Sequence, residues 1–209
     1  MKQKRALLIA FEASDMQGKS YQAKRLVERI NSIGLTAAYA EPIRNSDAFF
    51  WFTRFALDNG VAKQYKNLFQ FLQFLNRSWF QMNVLHELLT NHDVVVLDRW
   101  ALSGLIYGNA DGANKFLSKL LYKCLKRPDV TIVLHGEPYR SSRPLKDTYE
   151  LDDAMQKRVN DGYVEWALKD VSACLVKSSG TKEHVHKRVM HLLRGSAIHL
   201  EHDKLVGLL

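Results

Sequence analysis

The stretch FEASDMQGKSYQ, residues 11–22, joins an apolar run, RALLIA at residues 5–10, to a segment with helical spacing of apolar residues. The pattern Gly-x-x-x-x-Gly-Lys-Ser/Thr between a strand and a helix forms a loop whose backbone N–H groups bind phosphate. Ala13 stands at the first glycine position, and Gly18, Lys19 and Ser20 fit the rest. A Cβ at position 13 costs little at negative φ and about 1–3 kcal/mol at positive φ. We therefore predict a phosphate-binding loop with one unusual residue.

Five short apolar runs without clean alternation predict buried parallel strands. They occupy residues 5–11, 36–40, 94–97, 130–134 and 173–177. Helical spacing and capping signals predict helices over residues 20–33, 63–90, 115–125, 152–169 and 181–193, and the aromatic-rich residues 49–57 are also expected to be helical. The alternation predicts an α/β fold over residues 1–209, a doubly wound five-stranded parallel sheet with helices on both faces. Ligands of such sheets bind beyond the carboxyl ends of the strands.

Acidic and basic residues follow two of the predicted strands at that edge. Asp98 and Arg99 end VVVLDRW, residues 94–100, where a carboxylate can hold Mg²⁺ and a guanidinium fork suits a second phosphate. Glu41 and Arg44 follow the second strand, with Pro42 fixing the turn. This layout favours phosphoryl transfer between two phosphorylated ligands. For Arg44, a solvated turn remains an equal alternative.

A polar, basic segment, YRSSRPLKDTYELDD at residues 139–153, follows the fourth predicted strand. An arginine placed over a transferring phosphoryl group can accelerate the reaction by about 10³–10⁵-fold. The phosphate-binding loop offers Lys19 as its one basic group, so we expect a lid at about residues 139–150 to supply more charge. Arg143 is the preferred candidate over Arg140 and Lys146, because the following proline favours an extended turn.

Composition permits two kinds of partner. The net charge is +8 and the isoelectric point is about 9.4, but the basic residues are spread along the chain and form no basic tail. A nucleic-acid polymer and a pocket for small phosphorylated ligands would both use this sign of charge, and composition alone does not choose between them. The phosphate-binding motifs favour small phosphorylated ligands and no nucleic-acid polymer. No apolar run reaches the length of a membrane span. Two cysteines make no disulfide framework, which favours a reducing compartment such as the cytoplasm. His184 and His186 are two apart on a predicted helix, so a metal site there is rejected.

The motifs together resemble the thymidylate kinase family. The resemblance runs in order through FEASDMQGKS, Glu41-Pro42, Asn76-Arg77, DRWALSGLIY (residues 98–107), KDTYE (residues 146–150) and VKSSGTKEHVHKRV (residues 176–189). The most specific part is Asp-Arg-aromatic followed by Ser-Gly. The resemblance implies a P-loop kinase fold and transfer of the ATP γ-phosphate to dTMP, giving dTDP and ADP, with Mg²⁺. It also implies a homodimer that pairs through helices.

The resemblance assigns roles to individual residues. It places ATP against the loop and a second segment, at Ala13, Ser14, Asp15, Met16, Gln17, Gly18, Lys19, Ser20, Ser178 and Ser179. It places dTMP against Asp15, Glu41, Pro42, Arg44, Arg77, Arg99, Ser103, Tyr107 and Tyr149, and we add Phe74 as the candidate ring that stacks on the base. Within this set, Asp15 lies near the sugar 3′-hydroxyl, Arg99 binds the acceptor phosphate and Arg77 reads a thymine carbonyl. The predicted catalytic residues are Asp15, Lys19, Arg99 and Arg143, and the predicted Mg²⁺ ligands are Ser20 and Asp98.

Three residues depart from the family pattern. Ala13 replaces a glycine, Tyr21 replaces the usual Thr or Ser, and Gln73 stands where an aromatic usually stacks on thymine, four residues before Arg77. A lost base stack weakens binding by about 1–3 kcal/mol. Phe74 or its neighbour Phe71 could supply the ring. The base therefore stays open, with dUMP or a modified pyrimidine monophosphate as alternatives.

Two rival functions remain at this stage. Deoxynucleoside kinases also carry Glu-Pro after the second strand, and EPIRNSDAFFW at residues 41–51 fits an interpretation in which Glu41 is the base on a 5′-hydroxyl. Asp15 and Tyr149-Glu150 favour a monophosphate acceptor instead. A nucleotide-binding protein without kinase activity is the other rival, and under it Lys19→Ala would change binding but no rate.

Overall fold

The five predicted strands are present in the computed structural model, which describes residues 6–43, 47–137 and 152–199. All pair in parallel in one sheet of order β2-β3-β1-β4-β5. Each bound lies within two residues of the prediction: β1 Leu7–Glu12, β2 Ala37–Ala40, β3 Val94–Asp98, β4 Val130–His135 and β5 Ala173–Lys177. The predicted doubly wound α/β fold is confirmed.

Helices connect the strands and cover the sheet. Their bounds are α1 Lys19–Asn31, α2 Asp47–Asp58, α3 Val61–Gln64, α4 Lys66–Phe80, α5 His86–Asn91, α6 Ala101–Asp111, α7 Lys115–Tyr122, α8 Asp153–Ala167 and α9 Lys182–His199. The N-cap predicted for the last helix is confirmed, since the Thr181 hydroxyl accepts a hydrogen bond from the His184 N–H at 3.2 Å. The helix predicted from the phosphate-binding loop ends close to Gly34, which has a left-handed φ of 83°.

The prediction of one continuous helix over residues 63–90 was wrong. Tyr65 has φ −118° and ψ 55°, outside the helical region, and it separates α3 from α4. A π-helical segment, Gln81–Leu85, then joins α4 to α5. The apolar pattern continues through both interruptions, which is why periodicity alone does not reveal them.

Helix α6, which follows the Asp98-Arg99 pair, was not predicted. Gly104 and Gly108 lower its helix propensity. Both glycines allow close packing: a Cβ at Gly104 would overlap the phenol ring of Tyr122, and a Cβ at Gly108 would lie 2.8 Å from the side-chain amide carbon of Gln70. These glycines therefore bring α6 close to α4 and α7.

The central strand β1 is fixed from both sides. Leu7, Ile9 and Phe11 pack in a core cluster with residues of α1 and α9, while Leu8 and Ala10 pack in another cluster on the opposite face. Burying a large apolar side chain contributes about 1.5–3 kcal/mol. The end of β1, from which the phosphate-binding loop departs, is therefore a well-anchored point.

Two further predictions can be compared with the described residues. Cys124 is exposed and Cys174 is buried, and no disulfide joins them. Among the helices of residues 6–43, 47–137 and 152–199, none has the length and apolar character needed to cross a membrane.

Candidate active site

The phosphate-binding loop accommodates Ala13 without backbone strain. In the described part of the chain, the non-glycine residues at positive φ are Met16 (58°) and Arg99 (66°), so Ala13 lies outside the left-handed region. Its side chain is fully buried in the core cluster that contains Phe11 and Leu26. Gly18, at φ 78°, precedes the first residue of α1. The backbone therefore demands glycine at position 18 and not at position 13.

Gln17 fastens the loop to the neighbouring strands. Its Nε2 donates to the carbonyl oxygen of Gly136, just after β4, at 2.7 Å. The Ser178 hydroxyl, just after β5, hydrogen-bonds to Gln17 Oε1 and lies 3.0 Å from the His135 carbonyl oxygen. Ser178 was predicted to lie beside adenine, but its side chain is 1% exposed and turned to the loop. Ser179, its predicted companion, is exposed.

Lys19 begins α1 and lies among charged groups. Its side chain is buried, which lowers its pKa, and the Arg99 guanidinium lowers the pKa further. Asp98, Asp15 and Glu12 act in the opposite direction, but the net effect is a pKa below the usual value. When ATP binds, this buried cation can therefore interact with phosphate oxygens in place of the carboxylates.

Asp98 and Ser20 offer oxygen atoms suited to Mg²⁺. Asp98 is the last residue of β3 and is 2% exposed, and its Oδ2 accepts a hydrogen bond from the Tyr39 hydroxyl at 3.1 Å. Ser20 lies in the first turn of α1 and is exposed. Within the described residues no group of three or more His, Cys, Asp or Glu side chains forms a metal cage. One carboxylate, a hydroxyl and substrate phosphates are a ligand set that Mg²⁺ commonly uses in phosphoryl-transfer sites.

Asp15 and Arg99 form an ion pair across the site. The other carboxylate oxygen of Asp15 accepts hydrogen bonds from the Tyr107 hydroxyl at 2.8 Å and from Gln156 Nε2 at 3.0 Å. Gln156, on α8, also accepts the Asp15 backbone N–H at 2.9 Å. Burial would raise the pKa of Asp15, but Arg99, Lys19 and these hydrogen bonds outweigh it and hold that pKa below its usual value. Asp15 is therefore ionised and firmly oriented.

Arg99 is held by several acceptors at once. Besides Asp15, its guanidinium donates to the Ala13 carbonyl oxygen at 3.3 Å, to the Ser103 hydroxyl at 3.4 Å and to the Tyr107 hydroxyl at 3.3 Å. Burial acts to lower its pKa, but Tyr107 and Asp15 hold it well above the usual value. Burial, the largest influence, raises the pKa of Tyr107 well above its usual value, so the tyrosine stays a neutral hydroxyl. Arg99 is therefore a permanent, preorganised cation.

Arg77 and Gln73 form a buried network on α4. Arg77 Nε donates to the Trp100 carbonyl oxygen at 3.1 Å, and its Nη1 donates to Gln73 Oε1 at 3.2 Å. Gln73 Nε2 donates in turn to the Thr53 hydroxyl on α2 at 2.7 Å. No hydrogen bond from Arg77 Nη2 is found within the described residues. The glutamine that replaces the expected aromatic therefore holds the predicted base-reading arginine.

Phe74 packs edge-on against Tyr122, with ring centroids 6.3 Å apart, and Phe71 lies tilted against Phe74 at 6.4 Å. Phe74 is half-buried and Phe71 is 40% exposed. The suggestion that one of them stacks on the base stays a prediction. Directly after β2, Glu41 is half-buried and Pro42 is buried. Arg44, Arg143 and Tyr149, with the proposed lid, lie outside the described residues.

Sequence reasoning missed three residues that shape the site. Glu12 accepts hydrogen bonds from Trp100, Ser103 and Tyr163, and Gln156 holds Asp15. Tyr39, the third, donates a hydrogen bond to Asp98. An acidic residue inside an apolar strand is a usable signal for Glu12. Its partners lie 88 to 151 residues away, so nothing local identifies them.

The comparisons with known proteins agree with this geometry. The family model described as thymidylate kinase matches residues 11–189. The structure is similar to that of thymidylate kinase from Candida albicans, with a TM-score of 0.74 and 24% identity over 91% of this chain and 92% of that chain. It is also similar to thymidylate kinase from Ehrlichia chaffeensis, with a TM-score of 0.69 and 19% identity over 91% of this chain and 99% of that chain. The two structural likenesses speak for the fold, and the family match confirms the predicted family: the chain belongs to the thymidylate kinase family.

Proposed function

We propose that this chain transfers the γ-phosphate of ATP to dTMP, giving dTDP and ADP, with the site residues in the roles derived below. The observation that carries the proposal is the Asp15–Arg99 ion pair beside the phosphate-binding loop. It couples a loop carboxylate to a buried cation at the end of β3. This is the arrangement needed to hold a second phosphorylated ligand opposite ATP.

The transfer needs no general base in this proposal. The phosphate of a nucleoside monophosphate has a second pKa of about 6, so its attacking oxygen is already ionised near neutral pH. That oxygen forms a bond to the γ-phosphorus as the bond to the β-phosphate oxygen breaks, and ADP leaves. Lys19 and the N–H groups of residues 13–20 hold the donor phosphates, and Arg99 holds the acceptor phosphate. The protein mainly positions charge.

Asp15 is proposed to accept a hydrogen bond from the 3′-hydroxyl of the acceptor sugar. Its depressed pKa keeps it an acceptor at neutral pH. Tyr107 and Gln156 fix its orientation from two helices, α6 and α8. Arg77, with Nη2 uncommitted to the described residues, is proposed to donate to a carbonyl of the base. Ser103 and Tyr107 are proposed to lie along the base and sugar, with Phe74 as the stacking ring.

Mg²⁺ is proposed to bind at Asp98 and Ser20, where it would neutralise charge developing on the phosphates. The roles of Arg44 and Tyr149 rest on the family resemblance, whereas those of Arg143 and of a lid at about residues 139–150 rest on the basic, proline-containing sequence of that segment. One kinase domain over residues 1–209 and a cytoplasmic location are likewise proposals, the latter supported by a sequence whose two cysteines make no disulfide framework.

A homodimer is proposed from exposed apolar side chains. Trp51 on α2 is 67% exposed, Met82 in the π-helical segment is 76% exposed, and Phe116 on α7 is 79% exposed. On α2, Trp51 stacks on Phe55, which is 46% exposed, so these two rings share an exposed apolar patch of the kind that favours an interface. Size-exclusion chromatography with light scattering tests this, and a monomer at micromolar concentration would refute it.

The function is tested by measuring ADP release with Mg·ATP and each of dTMP, dUMP, dCMP, dGMP and thymidine. Fast turnover with dTMP is expected. Turnover with thymidine and none with dTMP would overturn the proposal. Lys19→Ala serves as the control, because it removes the loop cation and must abolish the ADP release attributed to the site.

A further inference from the structure

Glu12 is a buried carboxylate to which no role has so far been given. It is the last residue of β1 and is fully buried. Its Oε1 accepts the backbone N–H of Trp100 at 2.8 Å and that of Ser103 at 3.3 Å. Its Oε2 accepts the Ser103 hydroxyl at 2.5 Å and the Tyr163 hydroxyl at 3.1 Å. All its partners lie in α8 or at the start of α6.

The carboxylate completes the N-terminus of α6. Trp100 precedes the first residue of that helix and provides no side-chain cap, so the first N–H groups need an outside acceptor. Glu12 accepts two N–H groups of this region and places negative charge at the positive end of the helix. A local capping box does the same with a residue three positions on, whereas here the acceptor comes from a different strand.

Arg99 immediately precedes this N-terminus and has an uncommon backbone conformation. Its φ is 66°, which is costly for a residue with a long side chain, so the surroundings must enforce it. The Arg99 N–H donates to the Phe11 carbonyl oxygen at 3.0 Å, and the next N–H, that of Trp100, donates to Glu12. The end of β1 therefore clamps both peptide groups that flank the Arg99 Cα.

A second route joins Glu12 to the guanidinium. The Ser103 hydroxyl donates to Glu12, and its oxygen accepts from Arg99 Nη1 at 3.4 Å. Glu12 thus directs the hydroxyl proton away from the cation and leaves the oxygen lone pair facing it. Removing the carboxylate would leave the Arg99 N–H bonded to the Phe11 carbonyl oxygen, but it would release the Trp100 N–H on the other side of the Arg99 Cα and the Ser103 hydroxyl.

We infer that Glu12 is a positioning residue that sets Arg99 for the acceptor phosphate, an inference that rests on the proposed function. Its loss weakens binding of dTMP and leaves binding of ATP almost unchanged. If Glu12 instead acted as the counter-ion of Lys19, its loss would change the binding of ATP and leave that of dTMP almost unchanged, because Lys19 is proposed to hold the ATP phosphates. A purely structural role predicts lower stability without a difference between the two ligands.

The test compares Glu12→Gln and Glu12→Asp in the full chain. Both keep a polar side chain, but the amide presents N–H groups to donors and the shorter carboxylate no longer reaches Trp100. Isothermal titration calorimetry measures the dissociation constants of dTMP and of Mg·ATP separately. We expect dTMP to bind about tenfold more weakly to both variants, and Mg·ATP to change by less than about threefold. Because Glu12→Asp retains the charge near Lys19, it separates positioning from counter-charge.

Asp129→Asn is the matched control. Asp129 Oδ2 accepts the Leu8 N–H at 2.8 Å, so it too is a carboxylate that holds a strand, but it lies at the opposite end of β1. This variant is expected to change neither dissociation constant. If the Glu12 variants do not fold, Tyr163→Phe removes one donor to Oε2 and is expected to weaken dTMP by about threefold without affecting Mg·ATP.

Equal weakening of both ligands, or no weakening of either, would overturn the role of Glu12. A wild-type chain that binds Mg·ATP but neither binds nor phosphorylates dTMP would instead overturn the proposed function. Measuring the wild-type turnover beside the variants keeps the two failures apart.

Discussion

Replacing Ala13 by glycine, the residue that the loop pattern calls for, is expected to harm the protein. Ala13 is fully buried and lies outside the left-handed region. Loss of one buried methyl costs about 0.8 kcal/mol, and the freedom that glycine adds to the unfolded chain costs about 0.4–1 kcal/mol. The expected loss of unfolding free energy is thus about 1–2 kcal/mol. At about 2–4 °C per kcal/mol for a domain of this size, Tm falls by roughly 2–8 °C.

The same substitution is expected to leave KM for ATP unchanged. The backbone at position 13 lies outside the left-handed region, so the loop already has its working conformation with alanine there. Thermal unfolding and KM for ATP are the two assays. Ala23→Gly is the control, since Ala23 is fully buried in the same core cluster but lies within α1. It should destabilise at least as much, because glycine also disfavours the helix. A stability equal to wild type, together with a several-fold lower KM for ATP in Ala13→Gly, would refute the reasoning.

Three further changes probe the same site. Tyr107→Phe removes the 2.8 Å hydrogen bond to Asp15 and should raise KM for dTMP about fivefold, with KM for ATP as the unaffected reference. The pH dependence of kcat/KM for ATP reports groups of the free enzyme, so this value should fall as pH rises through the lowered pKa of Lys19, below 10.5. Asp98→Asn removes a carboxylate that raises this pKa, so the fall should occur at a lower pH in the variant. An unchanged pH dependence would contradict the assignment of the fall to Lys19. Gln73→Phe leaves Thr53 and Arg77 without the buried amide that they hydrogen-bond, so denaturant unfolding should show a loss of about 1–3 kcal/mol in the free energy of unfolding. The variant should also bind dTMP more weakly. Tighter binding of dTMP would mean that the wild-type site lacked only a stacking ring.

The sheet could be predicted because each strand carries its own signal. A parallel strand covered on both faces must be apolar throughout, and runs such as VVVL at residues 94–97 are recognisable one at a time. The edge on which their ends meet then follows from the chain alternation. That is why the sequence alone predicts that Asp15, Lys19 and Asp98-Arg99 lie at one edge of the sheet.

The packing between helices could not be predicted in the same way. Gly104 and Gly108 weaken the local helix signal, and their purpose is visible only beside Tyr122 and Gln70. The presence of Gln73 in place of a stacking aromatic is explained only by its hydrogen bond to Thr53, twenty residues earlier on α2. In both cases the deciding contact is between elements whose relative placement the sequence does not state.

Backbone strain gives the sharpest contrast between pattern and structure. The pattern draws attention to Ala13, where a glycine is missing, yet among the described residues the left-handed non-glycine residues are Met16 and Arg99. At Arg99 the conformation aims a cation into the site, and a glycine there would relieve the strain and remove the function. The chain must therefore enforce the conformation from outside, through the Phe11 carbonyl oxygen and the Glu12 carboxylate. The strain lies at Arg99 because the site needs an arginine side chain at that position. Ala13, which departs from the loop pattern, carries no such strain.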